Sequence, residues 1–229
     1  MTLLDKKVKK SHQIIKKTTS MFDSKDIAIA WTGGKDSTVI LHLVKTLFNG
    51  LIPFQIMFND STVEFPEVYK FIKEIKKDWK LKLIWVKHLP NDLKAYENAL
   101  KNGEKEPAME IMRIAKINAI KYTLKKYKFK AIISGIRKDE HEARSKETYF
   151  SKRLNHMRIH PILDFTFSDI WNYINEFHVP YVSLYDQGYK SLGEAPFTKP
   201  VKDKKAPERA GREATKEKTM NRLRQLGYW

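Results

Sequence analysis

Six consecutive residues, Thr32-Gly33-Gly34-Lys35-Asp36-Ser37, combine the groups needed to hold a polyphosphate. Adjacent glycines let the backbone turn sharply and leave amide N–H groups open to an anion. Lys35 adds a cation, Thr32 and Ser37 add hydroxyls, and Asp36 adds a hard carboxylate ligand for Mg2+. A second group contains Gly135, Arg137 and Arg144, whose guanidinium forks suit phosphate or sulfate, with a glycine that permits close approach. A third, Arg209-Ala210-Gly211-Arg212, lies near the end of the chain. Paired arginines on such a tail can fold over a bound polyanion and screen its charge.

The first group needs a strand behind it and a helix ahead of it. Residues 27–31 are apolar and β-prone, and Val39, Ile40, Leu43, Val44 and Leu47 recur at helical spacing. The helix would direct its unpaired N–H groups and positive dipole end at the loop. Before it, Val8, Ile14, Ile15, Thr18 and Met21 predict an N-terminal helix over residues 1–22. Further strands are predicted over 53–58, 81–86, 131–134 and 158–162, with helices after the polar turn 59–67 and over 91–100 and 107–127. The capping box Thr166-Phe167-Ser168-Asp169 opens another helix. This alternation predicts an α/β fold, a three-layer open and mostly parallel sheet with helices on both faces. Ligands of such sheets bind beyond the carboxyl ends of the strands, so residues 32–37, the turn with Asp60 and the stretch from Gly135 should converge. Residues 1–180 read as the nucleotide-binding domain, and 181–229 as an irregular loop and tail closing over it.

Composition narrows the chemistry. The 229 residues contain no cysteine, which excludes a thiol nucleophile, a disulfide scaffold, a zinc–cysteine centre and a cysteine-ligated iron–sulfur cluster. His156 and His160 lack the helical setting and the glutamate of a zinc motif, so no zinc site is expected. No apolar run spans a membrane and the N-terminus is too charged for a signal peptide, so a cytoplasmic location is expected. The formal charge of +17 points to polyanionic partners, but its lysines are dispersed over helix faces, so nucleic acid is not favoured.

The loop at 32–37 resembles the Ser-Gly-Gly-Lys-Asp-Ser loop of the ATP pyrophosphatase (PP-loop) superfamily, Thr32 keeping the hydroxyl. Residues 135–146 resemble the arginine stretch of the small subunit of heteromeric ATP sulfurylase, which carries Arg137 and Arg144 over as anion ligands. The turn Asp60-Ser61-Thr62-Val63-Glu64-Phe65-Pro66-Glu67 is similar to one beside the nucleotide in the adenylyl-sulfate and phosphoadenylyl-sulfate (PAPS) reductases, although Thr62 stands where glycine is usual. Residues 160–201 follow the reductase pattern with Glu194 and Phe197 in place of its cysteines, and Ile111-Met112 in place of its Cys-Cys pair. The tail, with Arg209, Gly211, Arg212 and the closing Gly227-Tyr228-Trp229, resembles the sulfurylase ending.

This resemblance implies an adenine nucleotide alpha-hydrolase-like (HUP) fold and cleavage of ATP between its α and β phosphates. The implied reaction is adenylyl transfer to a small oxyanion, foremost sulfate, with Mg2+ held by Asp36 and no iron–sulfur cluster. Thr32, Gly33, Gly34, Ser37, Asp60, Gly135, Arg209 and Arg212 would bind ATP or pyrophosphate, and Lys35, Asp36, Arg137 and Arg144 would act at the reacting centre. The alternatives are a PAPS-reductase-like protein without the catalytic cysteine, an FMN adenylyltransferase, a tRNA-modifying adenylase and a catalytically silent nucleotide-binding subunit. A GTPase partner subunit or a homo-oligomer is implied as the assembly.

Overall fold

A computed structural model describes residues 1–203, 205–212 and 220–226. Helix α1 (Leu3–Met21) opens on a reciprocal cap: Asp5 N–H donates to the Thr2 hydroxyl at 3.1 Å, and Thr2 N–H to the Asp5 carboxylate at 2.6 Å. Strand β1 (Ile27–Ala30) then leads through the glycine loop into α2 (Lys35–Leu47). There follow β2 (Gln55–Asp60), α3 (Pro66–Asp78), β3 (Leu83–Lys87), α4 (Pro90–Lys101), α5 (Lys105–Tyr127) and β4 (Ala131–Ser134). The remainder comprises β5 (Phe150–Lys152), β6 (Met157–Ile159), α6 (Phe167–Glu176) and α7 (Met220–Leu226).

The six strands run in the order β3-β2-β1-β4-β6-β5, all neighbours parallel except β5 against β6. The chain builds outward from β1 through β2 to β3, then returns to place β4 on the other side of β1. That reversal opens a crevice beyond the carboxyl ends of β1 and β4, the usual ligand position in such sheets. Successive β1 residues serve opposite faces. Ile27 and Ile29 pack with residues of α1, α2, α3 and α6, while Ala28 packs with Met57, Val86, Ala119 and Phe129.

Two strand expectations are corrected. The strand predicted over 158–162 ends at Ile159: His160 N–H still bonds the Tyr149 carbonyl at 3.0 Å in the β5 register, but Pro161 has no N–H to carry the pairing on. The antiparallel β5 was not anticipated; three residues, partly polar, carry no readable alternation. Asp60 closes β2 rather than opening the turn.

Asp169 joins two helices across the core. It accepts from Thr166 N–H at 2.7 Å to complete the cap of α6, and meets Lys7 Nζ of α1 at 2.5 Å. Burial alone would raise its pKa, but Lys7 and Thr166 hold it below the usual aspartate range. Its stabilisation is therefore complete above the ordinary aspartate value and is lost as pH falls through the depressed one. Asp169→Ala is expected to cost about 1–2 kcal/mol. That lowers the melting temperature by roughly 3–6 °C at neutral pH, with the gap to wild type narrowing as pH falls through the lowered value. No helix among the described residues is long and apolar enough to cross a membrane.

Candidate active site

The glycine loop turns at Gly33, whose φ of +76° a side-chain-bearing residue rarely adopts. Gly34 is the N-cap of α2 and Ser37 ties the loop shut. The Ser37 hydroxyl donates to the Gly34 carbonyl at 2.9 Å and accepts from Thr32 N–H at 3.2 Å. The amides are not all open to an anion: Gly34 N–H reaches the Thr32 hydroxyl at 3.4 Å, and Lys35 N–H donates to the Tyr185 hydroxyl at 3.0 Å. Burial pushes the Tyr185 phenol up to about 12, so it is a neutral hydroxyl at neutral pH. Gly135, just past β4, abuts the other side of the loop. A Cβ there would lie 2.9 Å from Ser37 N and 3.0 Å from the Asp36 carbonyl carbon, so any larger residue would push the glycine loop away from the sheet.

Beside the loop, four charged groups close a ring. Lys35 Nζ meets Asp36 at 2.9 Å, Asp36 meets Arg137 Nε at 2.6 Å, and Glu208 bridges Arg137 back to Lys35. Lys35 is 1% exposed and Arg137 is fully buried, so these charges are strongly coupled. Burial works against each charge, yet Asp36 and Glu208 hold Lys35 well above its ordinary value, while Lys35 and Arg137 hold Asp36 below its own. Glu208 moves the other way: burial and repulsion from Asp36 and Glu140 raise it despite its two cations. Two cations and two carboxylates leave the ring formally neutral. Glu140 stands alongside, paired with Arg144 and 3.7 Å from Arg209. Carboxylate oxygens of Asp36, Glu140 and Glu208 lie within 4.8 Å of one another, a hard-oxygen set that fits Mg2+.

Ring and loop border a cavity of ≈ 240 Å³. One wall is apolar, from Ala30, Trp31, Met57, Phe58, Ile132 and Ile136. At its far side Lys116 Nζ meets Glu194 at 2.7 Å and Glu64 at 3.5 Å, and Arg212 lies 3.9 Å from Glu194. Arg212 also donates to the Leu192 carbonyl and lies against Gly193, where a Cβ would fall 2.3 Å from its guanidinium carbon. The tail is pinned as a short strand-like strip by Lys199 N–H to the Gly211 carbonyl at 2.9 Å.

Of the residues singled out in the sequence, Thr32, Gly34, Lys35, Asp36, Ser37 and Gly135 line this cavity, as do Arg144, Arg209 and Arg212. Gly33, Asp60 and Arg137 do not. Asp60 accepts from Thr62 N–H at 2.9 Å and from the Tyr69 hydroxyl at 2.7 Å, which shapes the turn and compensates for the missing glycine, Thr62 taking φ +67°. Arg137 is enclosed by Asp36, Glu208 and Asp139, the last at 2.6 Å, so its fork organises carboxylates rather than facing the cavity. Sequence reasoning passed over Glu208 and Tyr185. A glutamate among basic tail residues reads as a solvated charge, and a tyrosine in an irregular segment reads as packing. Residues 227–229 of the predicted tail motif lie outside the described residues.

Comparison with known proteins places this geometry. The pattern of the phosphoadenosine phosphosulfate reductase domain matches residues 26–200. An uncharacterised protein of Methanocaldococcus jannaschii is 34% identical over 200 residues, covering 83% of this chain; the chain spans only 46% of that relative's length. Adenosine 5'-phosphosulfate reductase of Oceanobacillus iheyensis is 32% identical, covering 85% of this chain and 80% of its own. Sulfate adenylyltransferase subunit 2 of Buchnera aphidicola is 30% identical, covering 91% and 76%. Among solved structures, PAPS reductase of Candida auris superposes with TM-score 0.67 at 19% identity, covering 88% of this chain and 98% of its own. FMN adenylyltransferase of Candida glabrata in complex with ATP superposes with TM-score 0.69 at 21% identity, covering 89% and 66%. These two share the fold, an α/β sheet of the HUP type. A matched pattern over most of the chain, together with relatives above 30% identity, shows that the chain belongs to the phosphoadenosine phosphosulfate reductase domain family.

Proposed function

We propose that this protein is an adenylyltransferase that binds ATP with its polyphosphate at the loop 32–37 and cleaves it between the α and β phosphates, with sulfate as the foremost acceptor. The observation that carries the reading is the pairing of an apolar-walled cavity with a phosphate loop and an arginine-rich rim, in a chain of 229 residues without a thiol. A reductase relative supports the nucleotide, but transfer of sulfur to a protein thiol needs a cysteine that these residues do not supply. The relatives named sulfate adenylyltransferase subunit 2 support the oxyanion acceptor and a companion subunit, expected to be a GTPase.

In this reading a sulfate oxygen forms a bond to the α-phosphorus, the bond from that phosphorus to the bridging oxygen breaks, and pyrophosphate departs. Sulfate is already an anion, so no general base is required, and the protein contributes positioning and electrostatics. Gly33, Gly34 and Ser37 would hold the β and γ phosphates, and Lys35 would balance their charge. Arg144 would orient the oxyanion from the rim, with Arg209 and Arg212 closing over the polyphosphate. Asp36, Glu140 and Glu208 would hold Mg2+, which when bound supplies charge neutralisation of the leaving group. Arg137 keeps Asp36 and Glu208 in place.

The test is pyrophosphate release from MgATP with sulfate, FMN, tRNA or no acceptor. Sulfate-dependent release supports the proposal; FMN-dependent release moves the acceptor to a flavin phosphate with the same α–β cleavage. Absence of ATP binding in direct titration would remove the central claim.

A further inference from the structure

Behind the cavity, at the carboxyl end of β4, lies a buried polar row that the reaction above does not use. Ser134 Oγ is 3.0 Å from His160 Nδ1, and His160 Nε2 is 3.6 Å from Glu147 Oε2. Glu147 in turn pairs with Arg153 at 2.9 Å. The side chains of His160 and Glu147 are fully buried, whereas Ser134 lines the cavity.

The protons on this chain can be assigned. Burial holds the His160 imidazole below its usual range, so at neutral pH the ring is neutral and carries one N–H. The Glu147 carboxylate, anchored by Arg153, faces Nε2 at 3.6 Å, beyond hydrogen-bond distance, and its negative charge attracts a hydrogen and repels a lone pair, so the ring hydrogen sits on Nε2. Nδ1 is then a bare acceptor, and the hydroxyl hydrogen of Ser134 must point at it. A serine hydroxyl has one hydrogen, so what remains on the cavity side is lone pairs only.

Position says what those lone pairs meet. Ser134 sits opposite Ala30 of β1 in the sheet register, beside the apolar wall made by Ala30 and Ile132. Gly135, the next residue, touches the phosphate loop. Ser134 thus lies at the junction of the phosphate cradle and the wall, where the nucleoside half of the ligand would begin. We propose that Ser134 is a specificity-determining residue, held as a pure hydrogen-bond acceptor by the Glu147–His160 pair, and that it selects nucleotides offering a hydrogen-bond donor there, a ribose hydroxyl or the exocyclic amine. The inference rests on the nucleotide reading of the cavity and adds a rule for which nucleotides are admitted. His160 and Glu147 act as positioning residues.

The experiment is calorimetric titration of the full chain with ATP, 2′-deoxy-ATP, 3′-deoxy-ATP and the purine riboside triphosphate that lacks the 6-amino group. Wild type is expected to lose about three- to tenfold in affinity on one of the three analogues. Ser134→Ala should bind ATP weaker by the same factor and show no further loss on that analogue. His160→Asn keeps an acceptor near the Nδ1 position and should retain the discrimination; His160→Leu should lose it at an unchanged melting temperature for Ser134→Ala as the folded control. Which analogue is penalised tells the ribose hydroxyls from the amine. Equal ATP affinity of wild type and Ser134→Ala, or losses that add independently, overturns the inference while leaving nucleotide binding standing. Failure of wild type to bind ATP at all overturns the nucleotide reading itself, and this rule with it.

Discussion

Asp36→Asn is expected to lower pyrophosphate release from MgATP by about 10²–10³-fold, the loss typical of a preorganised electrostatic group at the reacting centre. Asparagine keeps the volume and one acceptor oxygen, so one of Lys35 and Arg137, which bond to different Asp36 oxygens, keeps its partner, and the ring 2.6–2.9 Å around Asp36 loses one negative charge. Alanine would be the poorer choice, because stripping one partner from a buried charge set costs about 3–5 kcal/mol and confuses chemistry with folding. The pH dependence separates the two further. Lys35 and Arg137 hold Asp36 below the usual aspartate range, so its contribution to stability is complete above the ordinary value and is lost as pH falls through the lowered one. Wild type should therefore lose melting temperature more steeply than Asp36→Asn as pH falls below the ordinary aspartate value. Turnover that survives the substitution unchanged would take both the metal and the charge-balancing role away from this residue.

Glu208→Gln is the second large effect and has the opposite sign on binding. Glu208 ties Lys35, the cation at the loop that a phosphate would approach, to the enclosed Arg137, and it does so from a tail that also carries Arg209 and Arg212. An incoming polyphosphate must compete with that carboxylate for Lys35. Charge-assisted hydrogen bonds contribute about 1.5–3 kcal/mol, so replacing the carboxylate by an amide should tighten binding of inorganic pyrophosphate, without divalent cation, by about tenfold or more. With Mg2+ and ATP the gain should shrink or reverse, since one of the three carboxylates near the metal position is gone. Titration of both proteins with pyrophosphate, with and without Mg2+, reads the two terms separately. Weaker pyrophosphate binding by the variant in both conditions would mean that Glu208 anchors the tail and does not compete with the ligand.

The local parts of this site are legible in the primary structure. A glycine pair after an apolar strand and before a helix with period 3.6 reads as a tight turn at a helix N-terminus, and the structure has that turn, with Gly33 at positive φ and Gly34 as the N-cap of α2. The cap at Thr166–Asp169 and the alternation of strands and helices are legible for the same reason: each depends on residues within a few positions of one another. The absence of cysteine removes thiol chemistry by composition alone.

What only the tertiary structure decided is which charges face one another. Asp36, Arg137 and Glu208 are separated by long stretches of chain, and their ring exists because β1 and β4 are neighbours and the tail returns over both. That neighbourhood enclosed Arg137, expected as an anion ligand, among three carboxylates, and brought in Tyr185 and Glu208, which no periodicity singles out. The Ser134–His160–Glu147 chain is hidden likewise, because β6 brings His160 beside β4 while the sequence shows only isolated polar residues. Backbone geometry follows short-range sterics and hydrophobic period, which a sequence displays directly. Coulombic pairing in a buried site follows distance in space, and for this protein that distance is determined only when the sheet order is.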